Sequence, residues 1–239
     1  MHREHVRWFS PRLERDMDLL VFGHAGARVL VFPSSMGSFF EWEDQGMMRT
    51  LSEHLERGWI QMFCVDSVDA DSWYAKWKHP ADRARHHGRY DAYLRDEVIP
   101  FTQSRNDNPF LITTGASFGA YQAMSFALRY PELVGRVIGM SGIYDIREVS
   151  DGYMDENVYP FNPAEFVMNE SEHNRMEAMR RMDIIIAIGQ DDPMRGNSEY
   201  FSGRLWSRGI GNALRIWDGW SHDWPYWQRM IQTYIGGSD

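Results

Sequence analysis

Ser117 stands between glycines two residues away on either side, in Gly115-Ala116-Ser117-Phe118-Gly119. This is a G-x-S-x-G pattern. An apolar run (109–115) leads into it, and a helical pattern (118–131) leads out and stops at Pro131. A serine at such a strand-to-helix corner is lifted clear of the sheet. The N–H groups and the positive dipole end of the following helix lie beside it. That is the setting of an acyl-transfer nucleophile. The same residues could also form a Gly-rich turn with a capping serine, and the motif by itself does not separate the two.

A hydroxyl needs a base to become a nucleophile, and the base needs an acid to orient it. At corners of this kind the acid comes next in the chain and the histidine last. After the apolar run 183–190 come Asp191 and Asp192, in "QDDPM"; Asp192 is the preferred one of the pair. After 213–219 comes His222, in "SHDW". Each feature has a plain alternative, an Asx turn for the aspartates and a helix cap for the histidine. Their agreement in order, type and position carries the reading. His79, His86 and His87 precede the serine, and His173 lies in a charged helical stretch.

These residues need a scaffold. Apolar runs at 27–34, 59–66, 109–115, 136–142, 183–190 and 213–219 read as buried strands. Helical patterns at 42–58, 82–103, 118–131, 164–182, 196–209 and 222–235 alternate with them. Two strands at the start, with no helix between, read as an antiparallel edge. The sum is an α/β sheet of about eight mostly parallel strands with helices on both faces. Ligands of such sheets bind beyond the carboxyl ends of the strands. No repeat or linker divides residues 1–239, so one domain is expected, with loop insertions near 66–81 and 141–163.

The net charge of −9 argues against nucleic acid or an anionic membrane as partner. The lone Cys64 sits in a strand-like run and reads as a core thiol. With no disulfide, no apolar leader and no membrane-spanning run, a cytoplasmic protein is the default. A homodimer is the base-rate expectation.

The chain resembles the esterase D-like group of the α/β-hydrolase superfamily, which includes enterochelin esterase, feruloyl esterase and mycolyltransferase relatives. The segments that carry the resemblance are "VFPSSMGSFFEWED", "GASFGAYQAMSFALRYPELVGRVIGMSGIYD", "IGQDDP" and "SHDWPYW". It spans about residues 12–235. It implies a serine carboxylester hydrolase of the α/β-hydrolase fold, acting through an acyl-enzyme on a small or medium ester with no cofactor. It supports Asp192, three residues after Gly189, as the acid. Many relatives have His-Gly where this chain has Pro33-Ser34. By ungapped alignment Ser35 lends the oxyanion N–H, with Ser34 and Met36 as near misses, and Phe118 lends the second.

Aromatic residues crowd the loops beyond the strand ends. Phe39, Trp42 and Trp73 are expected to bind substrate, and the competing reading is that such rings pack the loops onto the core. Asp66, Asp69 and Asp71 lack EF-hand spacing, and His86 and His87 project apart, so no metal site is expected. Two further functions remain open from sequence. One is an acyltransferase with the same triad. The other is a non-catalytic binding protein on the same fold.

Overall fold

The apolar runs become strands. The computed structural model describes residues 1–237. It contains β1 (Arg3–Ser10), β2 (Arg15–Phe22), β3 (Ala27–Phe32), β4 (Ile60–Val65), β5 (Leu111–Ala116), β6 (Arg136–Met140), β7 (Asp183–Gly189) and β8 (Ala213–Trp217). They form one sheet in the order β1-β2-β4-β3-β5-β6-β7-β8. β2 runs antiparallel to both its neighbours, and every pair from β4 to β8 is parallel. Strands β4 and β5 are buried at every position, because helices cover both faces. Their register aligns the carboxyl ends: Phe32 pairs with Gly115, and Ala116 with Met140, which pairs with Ala187. Whatever follows these strands therefore emerges at one edge.

The helices are α1 (Glu41–Asp44), α2 (Met47–Thr50), α3 (Ser52–Glu56), α4 (Pro80–Tyr93), α5 (Ile99–Arg105), α6 (Phe118–Arg129), α7 (Pro163–Asn169), α8 (His173–Arg181), α9 (Arg195–Ser207) and α10 (Trp224–Tyr234). The single helix expected over 42–58 is three short ones. Gly46, at φ 73°, turns left-handed and ends the first, as glycine does at helix C-termini. A π turn (Leu94–Val98) joins α4 to α5 just before Pro100, which has no N–H to continue the α-helical ladder.

Two large cores line the sheet. One joins residues from α4 to α9 with one face; the other joins α1–α3 and α10 with the opposite face. A smaller third cluster, holding Trp73, Phe118, Tyr121, Ile146 and Phe161, lies under the two long loops. The first loop, after β4, has no helix or strand before Pro80. The second, after β6, has only a 3₁₀ turn (Tyr159–Phe161) before α7.

Candidate active site

Ser117 sits between the end of β5 and the start of α6 with φ 54° and ψ −120°. A side chain that branches from a left-handed backbone is strained, by roughly 1–3 kcal/mol. The flanking glycines explain how the corner closes. A Cβ at Gly115 would lie 2.3 Å from the Gly119 carbonyl carbon, and one at Gly119 would lie 2.4 Å from the Pro33 oxygen. The Ser117 N–H donates to the Met140 carbonyl at 2.8 Å, which locks the turn onto β6.

His222 follows β8 and Asp192 follows β7. His222 Nε2 lies 3.1 Å from Ser117 Oγ, and His222 Nδ1 lies 2.7 Å from Asp192 Oδ2. A carboxylate oxygen accepts from Nδ1–H, which leaves the Nε2 lone pair for the serine hydroxyl. The Asp192 side chain is fully buried, and its other oxygen accepts the Met194 N–H at 2.8 Å. The imidazole is held between rings: Trp220 stacks at 5.7 Å and Trp227 meets it edge-on at 5.4 Å. Ser141, at the end of β6, ties the histidine loop down. Its hydroxyl donates to the Ser221 carbonyl at 3.1 Å and accepts from Trp227 Nε1 at 3.0 Å. Asp191 is exposed, and Asp192 alone of the pair touches the histidine.

Backbone donors complete the corner. Of the three candidate N–H groups after β3, that of Ser34 donates to Glu41 at 2.7 Å and that of Met36 to Asp69 at 3.1 Å. Among the described residues no acceptor takes the N–H of Ser35 or of Phe118. Both residues line the cleft with Ser117 and His222.

The cleft has a volume of about 380 Å³. Its walls come from the two long loops, with Trp73, Tyr74 and Lys76 from one and Ile143, Glu148 and Val149 from the other. Lys76 and Arg83 lace the loops together by donating to the Val149 carbonyl at 2.7 and 3.1 Å, and both pair with Asp151.

Of the rings expected to bind substrate, Trp73 lines the cleft. Trp42 and Phe39 do not. Trp42 is 1% exposed and belongs to the core beneath the sheet with Met47, Leu51 and Trp227. Phe39 stacks on His5 at 5.2 Å and packs against that same core. The chain turns into α1 at Glu41, so the carboxylate of residue 41 reaches back to Ser34 while the next residue faces the sheet. Ser141, Met194 and the part that Glu41 and Asp69 play in the turn after β3 went unseen in the sequence. The loss of glycine after β3 was the available sign that other groups must hold that turn.

Among the described residues no group of three His, Cys, Asp or Glu side chains could share a metal ion, and no helix is long and apolar enough to cross a membrane. Cys64 is buried in β4, and burial pushes its thiol up.

A family model described as "Putative esterase" matches residues 10–235. The chain belongs to this esterase family. No curated protein matches the esterase significantly. Solved structures do match over nearly their whole length. A ferulic acid esterase shares 16% identity and a TM-score of 0.78, covering 98% of this chain and 96% of its own. An S-formylglutathione hydrolase from Agrobacterium tumefaciens shares 16% identity at TM-score 0.75, covering 98% and 93%. MPT51 of Mycobacterium tuberculosis shares 17% identity at TM-score 0.73, covering 99% and 97%. At these identities the likeness establishes the α/β-hydrolase fold. Family membership makes the chain an esterase.

Proposed function

We propose that this esterase hydrolyses a small or medium carboxylic ester through an acyl-enzyme on Ser117. The observation that carries the reading is the unbroken hydrogen-bond line from Asp192 through His222 to Ser117 Oγ at the cleft. His222 Nε2 takes the serine proton as Oγ attacks the ester carbonyl. Asp192 holds the ring tautomer and stabilises the imidazolium. The N–H groups of Ser35 and Phe118 receive the oxyanion; one such donor is worth about 3 kcal/mol of barrier in other enzymes. His222 then protonates the leaving alcohol, and the same residue activates water to release the acid. The residues present complete this cycle among themselves.

The cleft bounds the substrate. A volume of about 380 Å³ walled by Trp73, Tyr74, Phe118, Ile143, Val149 and Met194 suits a short aliphatic or single-ring acyl group. A panel of p-nitrophenyl esters from acetate to palmitate, run on wild type and Ser117→Ala, tests this. We expect kcat/KM to peak at short chains and to vanish in the variant. A peak at palmitate would contradict the acyl size, and equal turnover in both proteins would contradict the role of Ser117.

A further inference from the structure

The turn after β3 has no glycine from Pro33 to Met36, yet it takes a left-handed residue: Met36 has φ 60°. A non-glycine residue in that region persists when its surroundings over-determine it. Here the surroundings are carboxylates. Glu41 accepts from both the N–H and the hydroxyl of Ser34, at 2.7 and 2.6 Å. Asp69 Oδ2 accepts the Met36 N–H at 3.1 Å, and Asp66 accepts the Phe39 N–H at 3.3 Å. Gly37 is where glycine is needed: a Cβ there would lie 2.7 Å from the Glu41 carboxylate.

Asp69 is the unusual member. It comes from the cleft loop after β4, is 1% exposed and, among the described residues, pairs with no cation. Its second oxygen accepts from Gln122 Nε2 at 2.7 Å, on the nucleophile helix α6. One buried carboxylate therefore joins the turn after β3, the substrate loop and the helix that begins at Ser117. Burying an unpaired acid is unfavourable, and Glu41 and Asp66 nearby raise its proton affinity further.

We infer that Asp69, with Glu41 on the other side, is a positioning residue that aims the Ser35 N–H into the cleft by occupying the N–H groups on either side of it. Glycine-containing turns reach such geometry through backbone freedom; this chain reaches it through two fixed acceptors. The inference rests on the acyl-enzyme reading above. An N–H aimed at the oxyanion acts on the tetrahedral state rather than on ground-state binding, so the loss should appear in kcat and leave KM nearly fixed.

The test compares Asp69→Ala, Asp69→Asn and Glu41→Ala with wild type, after a fluorophosphonate has been used to confirm labelling of Ser117. Asp69→Ala should lower kcat roughly 10- to 100-fold, with KM changed less than about 3-fold. The Ki of a phenylboronic acid, a tetrahedral mimic, should weaken in proportion to kcat. Asp69→Asn should recover most of the loss, because its carbonyl still accepts from Met36 and a flipped Gln122 amide can accept from its NH₂. Glu41→Ala, at a half-exposed site, should show the same kcat signature on a smaller scale, which covers the case in which Asp69→Ala does not fold. A wild type that neither labels nor turns over would overturn the acyl-enzyme reading and this inference with it. Normal labelling, with kcat unchanged in folded Asp69→Ala or Glu41→Ala or with the loss falling in KM, would overturn the inference alone.

Discussion

Two turns meet at the cleft, and each offers a backbone N–H that no acceptor takes among the described residues, that of Phe118 and that of Ser35. The turn at 115–119 is built by leaving atoms out: glycines at 115 and 119 let α6 pass within van der Waals contact of β5 and of the Pro33 carbonyl. The turn at 34–37 is built by adding acceptors, with Glu41 and Asp69 holding the N–H groups of Ser34 and Met36. Both turns contain a non-glycine residue with positive φ, Ser117 at 54° and Met36 at 60°. The difference is that steric fit cannot be partly lost, whereas a hydrogen-bonded turn can loosen by degrees.

Substitutions should expose this asymmetry. Gly119→Ala has the largest expected effect, because its Cβ would strike backbone at 2.4 Å and nothing nearby can swing away. A loss of about 3 kcal/mol or more, or failure to fold, is expected, which for a chain of this size lowers Tm by roughly 6–12 °C. Gly37→Ala strikes the far end of a flexible side chain instead. It should displace the Glu41 carboxylate, cost about 1 kcal/mol in thermal unfolding, and lower kcat while the protein stays folded. Equal effects at the two sites would erase the distinction between them.

The smallest effect concerns pH. Burial pushes the Asp69 carboxyl from 3.8 up to about 7. An acid with a raised folded value holds its proton more tightly in the native state. Its contribution is therefore fully present below about pH 4 and is lost as pH rises through about 7. Asp69→Asn removes that slope. The urea midpoint of the variant should fall less than that of wild type across this range, and parallel curves would show that Asp69 is not buried as described.

The parts of this site legible in the sequence were those tied to strand ends. Ser117, Asp192 and His222 each follow an apolar run, and a parallel sheet brings such positions to one edge whatever the helices do. Ser35 came instead from the family resemblance, by ungapped alignment. The two pinning acids were not legible. Glu41 sits at the start of a four-residue helix, and Asp69 lies in a loop whose acids were weighed only for metal-site spacing. Only the path of the loop shows that one of them is buried against α6. Trp42 and Phe39 were placed at the cleft for the same reason in reverse. Composition says that a ring lies near a strand end, but the rotation of α1 decides which way it faces. The break of the 42–58 helix at Gly46 belongs to this group, since a glycine can end a helix or ride within it until packing chooses.

The central claim is that Ser117 forms the covalent intermediate. Rapid acid quench of the enzyme with p-nitrophenyl acetate, followed by intact-mass and peptide analysis, tests it directly. The structure predicts an acetyl adduct on the peptide that carries Ser117, formed in a burst and absent in Ser117→Ala. Steady turnover with no adduct, or an adduct on another residue, would contradict it.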